Sequence, residues 1–129
     1  MGNADEIRAA YEAYVEGDYA AVLSLVDPGF EWTYLEPTSE NPEPQVCHGP
    51  GELARWMARQ SSTGLRTEIV EILGHGDRVM VVTRTPGIEG FRAWSTDDRT
   101  YHVLTLRDHR ITKLRAFRTR DDALEFATS

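Results

Sequence analysis

Residues 100–117 read TYHVLTLRDHRITKLRAF, and their alternation decides the fold class. Thr100, His102, Leu104 and Leu106 fall on one face of an extended chain and Tyr101, Val103 and Thr105 on the other, so Thr100–Arg107 is predicted as a strand. Asp108-His109-Arg110 is short enough for a hairpin turn, and Ile111–Arg118 then returns as a second strand. The same pattern precedes it: Arg66–Leu73 and Arg78–Thr85 flank the compact Gly74-His75-Gly76-Asp77. Pro86–Asp98, with Gly87, Gly90, Phe91 and Trp94, joins the two pairs as a longer, irregular or bulged connection. The second half of the chain is therefore a four-stranded meander.

The first half has the other period. From Asp5 onward, Ile7, Ala10, Tyr11, Tyr14 and Val15 follow one face of an amphipathic helix that Gly17 stops. Asp18 is placed to cap a second, short helix carrying Ala21, Val22, Leu25 and Val26, ended by Pro28-Gly29. Phe30–Glu36 alternates again, so Phe30, Trp32, Tyr34 and Glu36 share a strand face and a carboxylate stands in line with three aromatics. Pro37–Gln45, with three prolines, reads as a loop over one end of the fold. Gly49 and Pro50 suit the cap and first turn of a third helix, with Glu52 at N3 and Leu53, Trp56, Met57 and Gln60 inward. Thr119-Arg120-Asp121-Asp122 opens a terminal helix with Ala123, Leu124 and Ala127. Three early helices and a late meander make an α+β fold, not a parallel βαβ sheet.

At 129 residues the chain is sized for one domain spanning 1–129, with roughly two-thirds of its unfolded surface buried. A hydrophobic fraction of 40% and a charged fraction of 27% are ordinary for a soluble protein. No apolar run reaches the roughly 18 residues that span a bilayer, and the first residues carry neither a basic region nor an apolar signal core, so a cytoplasmic location is expected. Cys47 stands alone, which excludes an internal disulfide framework and suits a buried filler. A net charge of −7 argues against nucleic acid or an anionic membrane as partner.

The order and spacing of several short motifs resemble the nuclear transport factor 2-like superfamily, and within it the SnoaL-like polyketide cyclases and ketosteroid isomerase relatives. Those motifs are Tyr14-Val-Glu-Gly17-Asp18, Phe30-Glu-Trp32, His48-Gly49-Pro-Gly-Glu-Leu53, and Leu106–Phe117 leading into Ala123-Leu124-Glu125. The resemblance implies a cone: a curved, mostly antiparallel sheet wrapped around three helices, with a pocket for a small apolar organic molecule at its open end and homodimers formed through the sheet's outer face. It implies no single activity, because isomerases, aldol cyclases, epoxide hydrolases, dehydratases and binding proteins share the fold.

Proton transfer next to a carbonyl needs a carboxylate or imidazole base in an apolar pocket and a donor for the enolate opposite. In the isomerase pattern an Asp is the base, with a Tyr and a neutral carboxylic acid as donors. By resemblance the base position, just before a proline after the first strand, falls at Glu36. The acid position on the penultimate strand falls at His102, whose ordinary pKa near 6.5 suits either proton donation or shuttling. The tyrosine position falls at Ala10, but Tyr14 is one turn further on that helix face and Tyr11 is adjacent. Thr119 stands where SnoaL-like tails carry an aspartate, so a capping role survives there and a carboxylate role does not. Each candidate has a plainer alternative: Glu36 as a solvated strand-end carboxylate, His102 as a residue satisfied within the sheet, the tyrosines as core. Trp32, Tyr34, Trp56 and Trp94 are candidates to line the pocket or simply to fill the core. The remaining histidines, His48, His75 and His109, form no ligand pattern, and no phosphate-binding glycine loop is present, so neither a metal nor a cofactor is expected. The residues thus support a cofactor-independent isomerase- or cyclase-type enzyme acting on an apolar carbonyl or polyketide-like compound, or a non-catalytic binding protein of the same fold.

Overall fold

The computed structural model describes residues 3–35, 44–61, 67–84 and 99–129. Helix α1 (Asn3–Val15) ends where expected. Asp18 N–H donates to Ala13 O at 2.9 Å and Gly17 N–H to Tyr14 O at 3.0 Å, the paired closure of a Schellman motif, with Gly17 at φ +96°. The N-cap of α2 (Ala20–Leu25) is Tyr19, which makes no side-chain cap bond, one residue later than the expected Asp18, whose Oδ1 accepts from Ala20 N–H at 3.2 Å.

Strand β1 (Val26–Leu35) begins earlier than its alternation suggests. Pro28-Gly29 does not separate helix from strand but lies inside β1, where Asp27 Oδ2 accepts from Gly29 N–H at 2.8 Å and the register with the neighbouring strand is broken between Val26 and Glu31. A proline fits there because the irregular stretch asks no ladder hydrogen bond of it. The second correction is β2 (Pro44–His48), which takes up residues assigned to the Pro37–Gln45 loop. It pairs antiparallel with β1 and forms one edge of the sheet, and a proline is tolerated as the first residue of an edge strand.

Helix α3 (Gly49–Ser61) opens on Gly49 at φ +74°, and Glu52 Oε2 reaches back to accept from His48 N–H at 2.8 Å, one residue ahead of the cap. The meander follows as β3 (Glu68–His75), β4 (Arg78–Arg84), β5 (Arg99–Arg107) and β6 (Arg110–Phe117), with two-residue turns at Gly76-Asp77 and Asp108-His109. Asp108 and His109 both have positive φ, 52° and 64°, the backbone of a primed hairpin turn. Helix α4 (Arg120–Thr128) starts on Thr119, whose hydroxyl accepts from Asp122 N–H at 3.2 Å, so the predicted cap is present.

The strands form one sheet in the order β2-β1-β6-β5-β4-β3, antiparallel throughout except for the β1–β6 pair. Register breaks in the β1–β6, β3–β4 and β5–β6 pairs bend it. The result is the expected cone. Its inner face packs Trp32, Cys47, Val79, Val81, Leu104, Leu106, Ile111 and Leu114 against Ile7, Ala10, Tyr11, Val22, Leu53 and Met57 of the three helices.

A smaller core lies on the outer face, where α4 covers Met80, Val82, Tyr101 and Val103 with Ala123 and Ala127. The resemblance implies dimers through the sheet's outer face, and α4 already occupies much of that face. Ile69, Ile72 and Val81 pack into the inner core and Val82 lies in the core under α4, which leaves Val70 exposed at 41%. The period-two pattern gives two sides of a strand but does not say which side meets a helix.

Candidate functional site

The inner face changes character along its length. Around Val79, Leu104, Leu106 and Ile111 it is apolar core. Further along β4 and β5 it turns polar: His102 stands opposite Val81, and beyond that pair Thr83 faces Thr100. Thr83 is polar yet only 7% exposed. Residues with small side chains accompany this end, with Ala116 opposite His102 on β6.

His102 is half-buried, and its imidazole meets the Trp32 indole edge-to-face, with ring centroids 5.9 Å apart and planes at 73°. Trp32 is 3% exposed and is held by its neighbours in register, Cys47 on β2 and Leu114 on β6. The alternation of Thr100, His102, Leu104 and Leu106 therefore identified the face correctly, and it brings His102 to Trp32, both named from sequence. Cys47 is the buried filler expected of it, and its place opposite Trp32 was not legible without β2.

Helix α1 approaches this face from the opposite end. Asn3 Nδ2 donates to Gly76 O at 3.2 Å, so the start of α1 is docked at the β3–β4 turn. Tyr11 and Tyr14 lie farther along the helix, Tyr14 by roughly 16 Å of helical rise from Asn3. Tyr11 is buried and Tyr14 half-buried, and their rings continue to Tyr19, with centroid separations of 6.2 and 5.1 Å. Burial pushes both phenols well above the ordinary tyrosine pKa, reinforced by the adjacent tyrosine in each case, so both keep their protons at neutral pH and remain hydrogen-bond donors.

The other named residues divide as follows. Glu36 and Trp94 lie outside the described residues. Tyr34 is on β1 paired with Gln45, and Trp56 is on α3, but their side chains are outside what is described. β1 ends at Leu35, one residue before Glu36, at the end of the sheet that carries His102. Sequence reasoning missed Thr83 and Ala116. Thr83 was within reach, since Val79, Val81 and Thr83 alternate on β4, but Ala116 carries no periodic signal. Among the described residues no three of His, Cys, Asp and Glu come together as a metal site would require, and no helix is long and apolar enough to cross a membrane.

Several solved structures share this fold. An NTF2-like protein of unknown function from Burkholderia pseudomallei superposes with a TM-score of 0.69 at 21% identity, covering 100% of both chains. A protein of Sinorhizobium meliloti named as a polyketide cyclase gives 0.65 at 18% identity over 88% of this chain and 94% of its own. TerC, co-crystallised with polyporic acid, gives 0.66 at 21% identity over 97% and 96%. At these identities the likeness shows the fold alone. A search of curated protein sequences finds no match. The family model described as a SnoaL-like domain matches residues 7–114, and the chain belongs to that family, within the nuclear transport factor 2-like superfamily.

Proposed function

We propose that the protein is a cofactor-independent enzyme that moves a proton next to the carbonyl of a small apolar or polyketide-like compound held at the polar end of the cone. The observation that carries this reading is the His102 imidazole on the inner face against Trp32, where the sheet changes from core to polar. In this reading Glu36 is the base, His102 donates to the developing enolate, and the Tyr14 hydroxyl, kept protonated by burial, is a second donor. Tyr11, Trp32, Tyr34, Trp56 and Trp94 line the substrate site. The protein works in the cytoplasm as a homodimer. A polyketide cyclase name on one structural relative and the co-crystallisation of another with polyporic acid are consistent with a small-molecule site.

Deuterium uptake at the α carbon of 2-tetralone in D2O, followed by proton NMR, tests this directly. The expected result is exchange above buffer with wild type and a loss of about 10²-fold or more in Glu36→Gln, at unchanged melting temperature. Exchange that persists in Glu36→Gln removes that residue from the mechanism. No exchange across a panel of carbonyl compounds that nonetheless bind makes the protein a binding protein of this fold.

A further inference from the structure

The Trp32–His102 contact spans an unusual distance. Trp32 is on β1 and His102 on β5, and β6 lies between them. Trp32 is in register with Leu114, whereas His102 is in register with Ala116, two residues further along β6. With strands about 4.8 Å apart and about 3.3 Å of rise per residue, those positions are roughly 12 Å apart at the backbone. The ring centroids are nevertheless 5.9 Å apart. Both side chains lean over β6 and meet above the strip between Leu114 and Ala116. A branched side chain at 116 would occupy the volume the imidazole crosses, because residues in register on one face stand about 4.5–5.5 Å apart at Cβ.

Resting on the donor role of His102 given above, we propose that Ala116 and Trp32 are positioning residues for His102: the methyl at 116 leaves the gap through which the imidazole tilts onto the indole, and the indole fixes that tilt. An edge-to-face pair restrains both the direction and the plane of the imidazole, which is what a proton donor needs in order to meet a substrate oxygen repeatedly in one geometry. Val81, in register with His102 on β4, is 1% exposed and fills the inner face on the side of His102 away from β6.

The test combines histidine-labelled NMR with 2-tetralone exchange, with His102 resonances assigned through His102→Gln. Ala116→Leu should move the His102 ring protons away from their indole-shifted positions and lower kcat for exchange by about 10²-fold with little change in KM, as expected when orientation is lost and binding is kept. Ala116→Ser, which keeps the gap, should preserve both. If Ala116→Leu does not fold, Ala116→Val and Trp32→Phe should move the same resonances and lower kcat in the same sense. The inference is overturned if the folded variants leave the ring protons in place, or if kcat stays within about twofold while His102→Gln abolishes exchange. Unchanged exchange in His102→Gln would instead overturn the donor role and, with it, any effect of Ala116 on kcat, while the NMR arm alone still decides whether Ala116 holds the ring pair.

Discussion

Gly49 sits at φ +74° where β2 hands over to α3, and a Cβ there would meet Pro28 O at 3.6 Å, an ordinary contact. The need for glycine is therefore backbone conformation and not space. Gly49→Ala should cost about 1–2 kcal/mol in urea melts, with Gly49→Asn recovering part of it; equal stability of Gly49→Ala would show that the junction relaxes. Phe30 belongs to a different class. It is 1% exposed in the inner core, so Phe30→Ala should cost about 3–5 kcal/mol through lost burial and the cavity left behind. A loss below about 1 kcal/mol would mean that the site collapses around the smaller residue. Legibility at this scale followed chemistry. Residues that declare a role by type, such as the Gly17 stop, the Gly49 cap and the Thr119 cap, were readable, and His102 was placed on its face by its apolar neighbours. Ala116 was not, because its contribution is the volume it leaves open.

Helix α1 and strand β3 touch so closely that a side chain at Gly74 would place its Cβ 2.9 Å from Ala4 Cβ. Gly74→Ala gains about 0.4–1 kcal/mol through the unfolded chain but overpacks the contact by about 1–3 kcal/mol, so net destabilisation is expected. In a double-mutant cycle Ala4→Gly should restore part of it, although glycine in a helix itself costs about 1 kcal/mol; strict additivity would show that the two sites do not meet. Helix α4 is fixed differently. Arg120 pairs bidentately with Glu71 of β3 at 2.8 Å for both bonds, and at the other end Arg78 donates to Phe126 O and lies over the Phe126 ring. The hydrogen bond from Arg120 holds the Glu71 carboxyl below its ordinary range. A depressed carboxylate pKa contributes stability that is present above the unfolded value, near 4.3, and is lost as pH falls through the lower folded value. Wild type should therefore lose stability over that acid window more steeply than Arg120→Ala, and parallel pH profiles would show that the pair is not linked to folding. The elements with a clear period were legible. β2 was not, because its pairing with β1 is long-range information and its leading Pro44 reads locally as loop.

Across the whole molecule, the α+β order was legible because each helix and meander strand repeats its own period, and the cone was legible only through the resemblance of the motifs to a known family. The resemblance implies dimers through the outer face, but α4 already packs on that side against β3, β4, β5 and β6. If the homodimer forms through the outer face, the broadest side α4 leaves open is β1 and β2, where Thr33 lies opposite Val46 and Val46 is 45% exposed. Glu31, in register with both His48 and Lys113, and Arg115 surround it, so this surface mixes an apolar centre with charges of both signs. Such a patch can pair with its own copy about a two-fold axis, each acid meeting a base of the other chain. Val70, the other exposed large hydrophobic residue among those described, lies on β3 at the opposite edge of the sheet. Light scattering at micromolar concentration should give twice the chain mass for wild type and for Val70→Arg, but the single-chain mass for Val46→Arg, because an arginine at the centre of a two-fold interface places two like charges against each other. A wild-type monomer would overturn the homodimer; a dimer that survives Val46→Arg but not Val70→Arg would move the interface to the β3 edge.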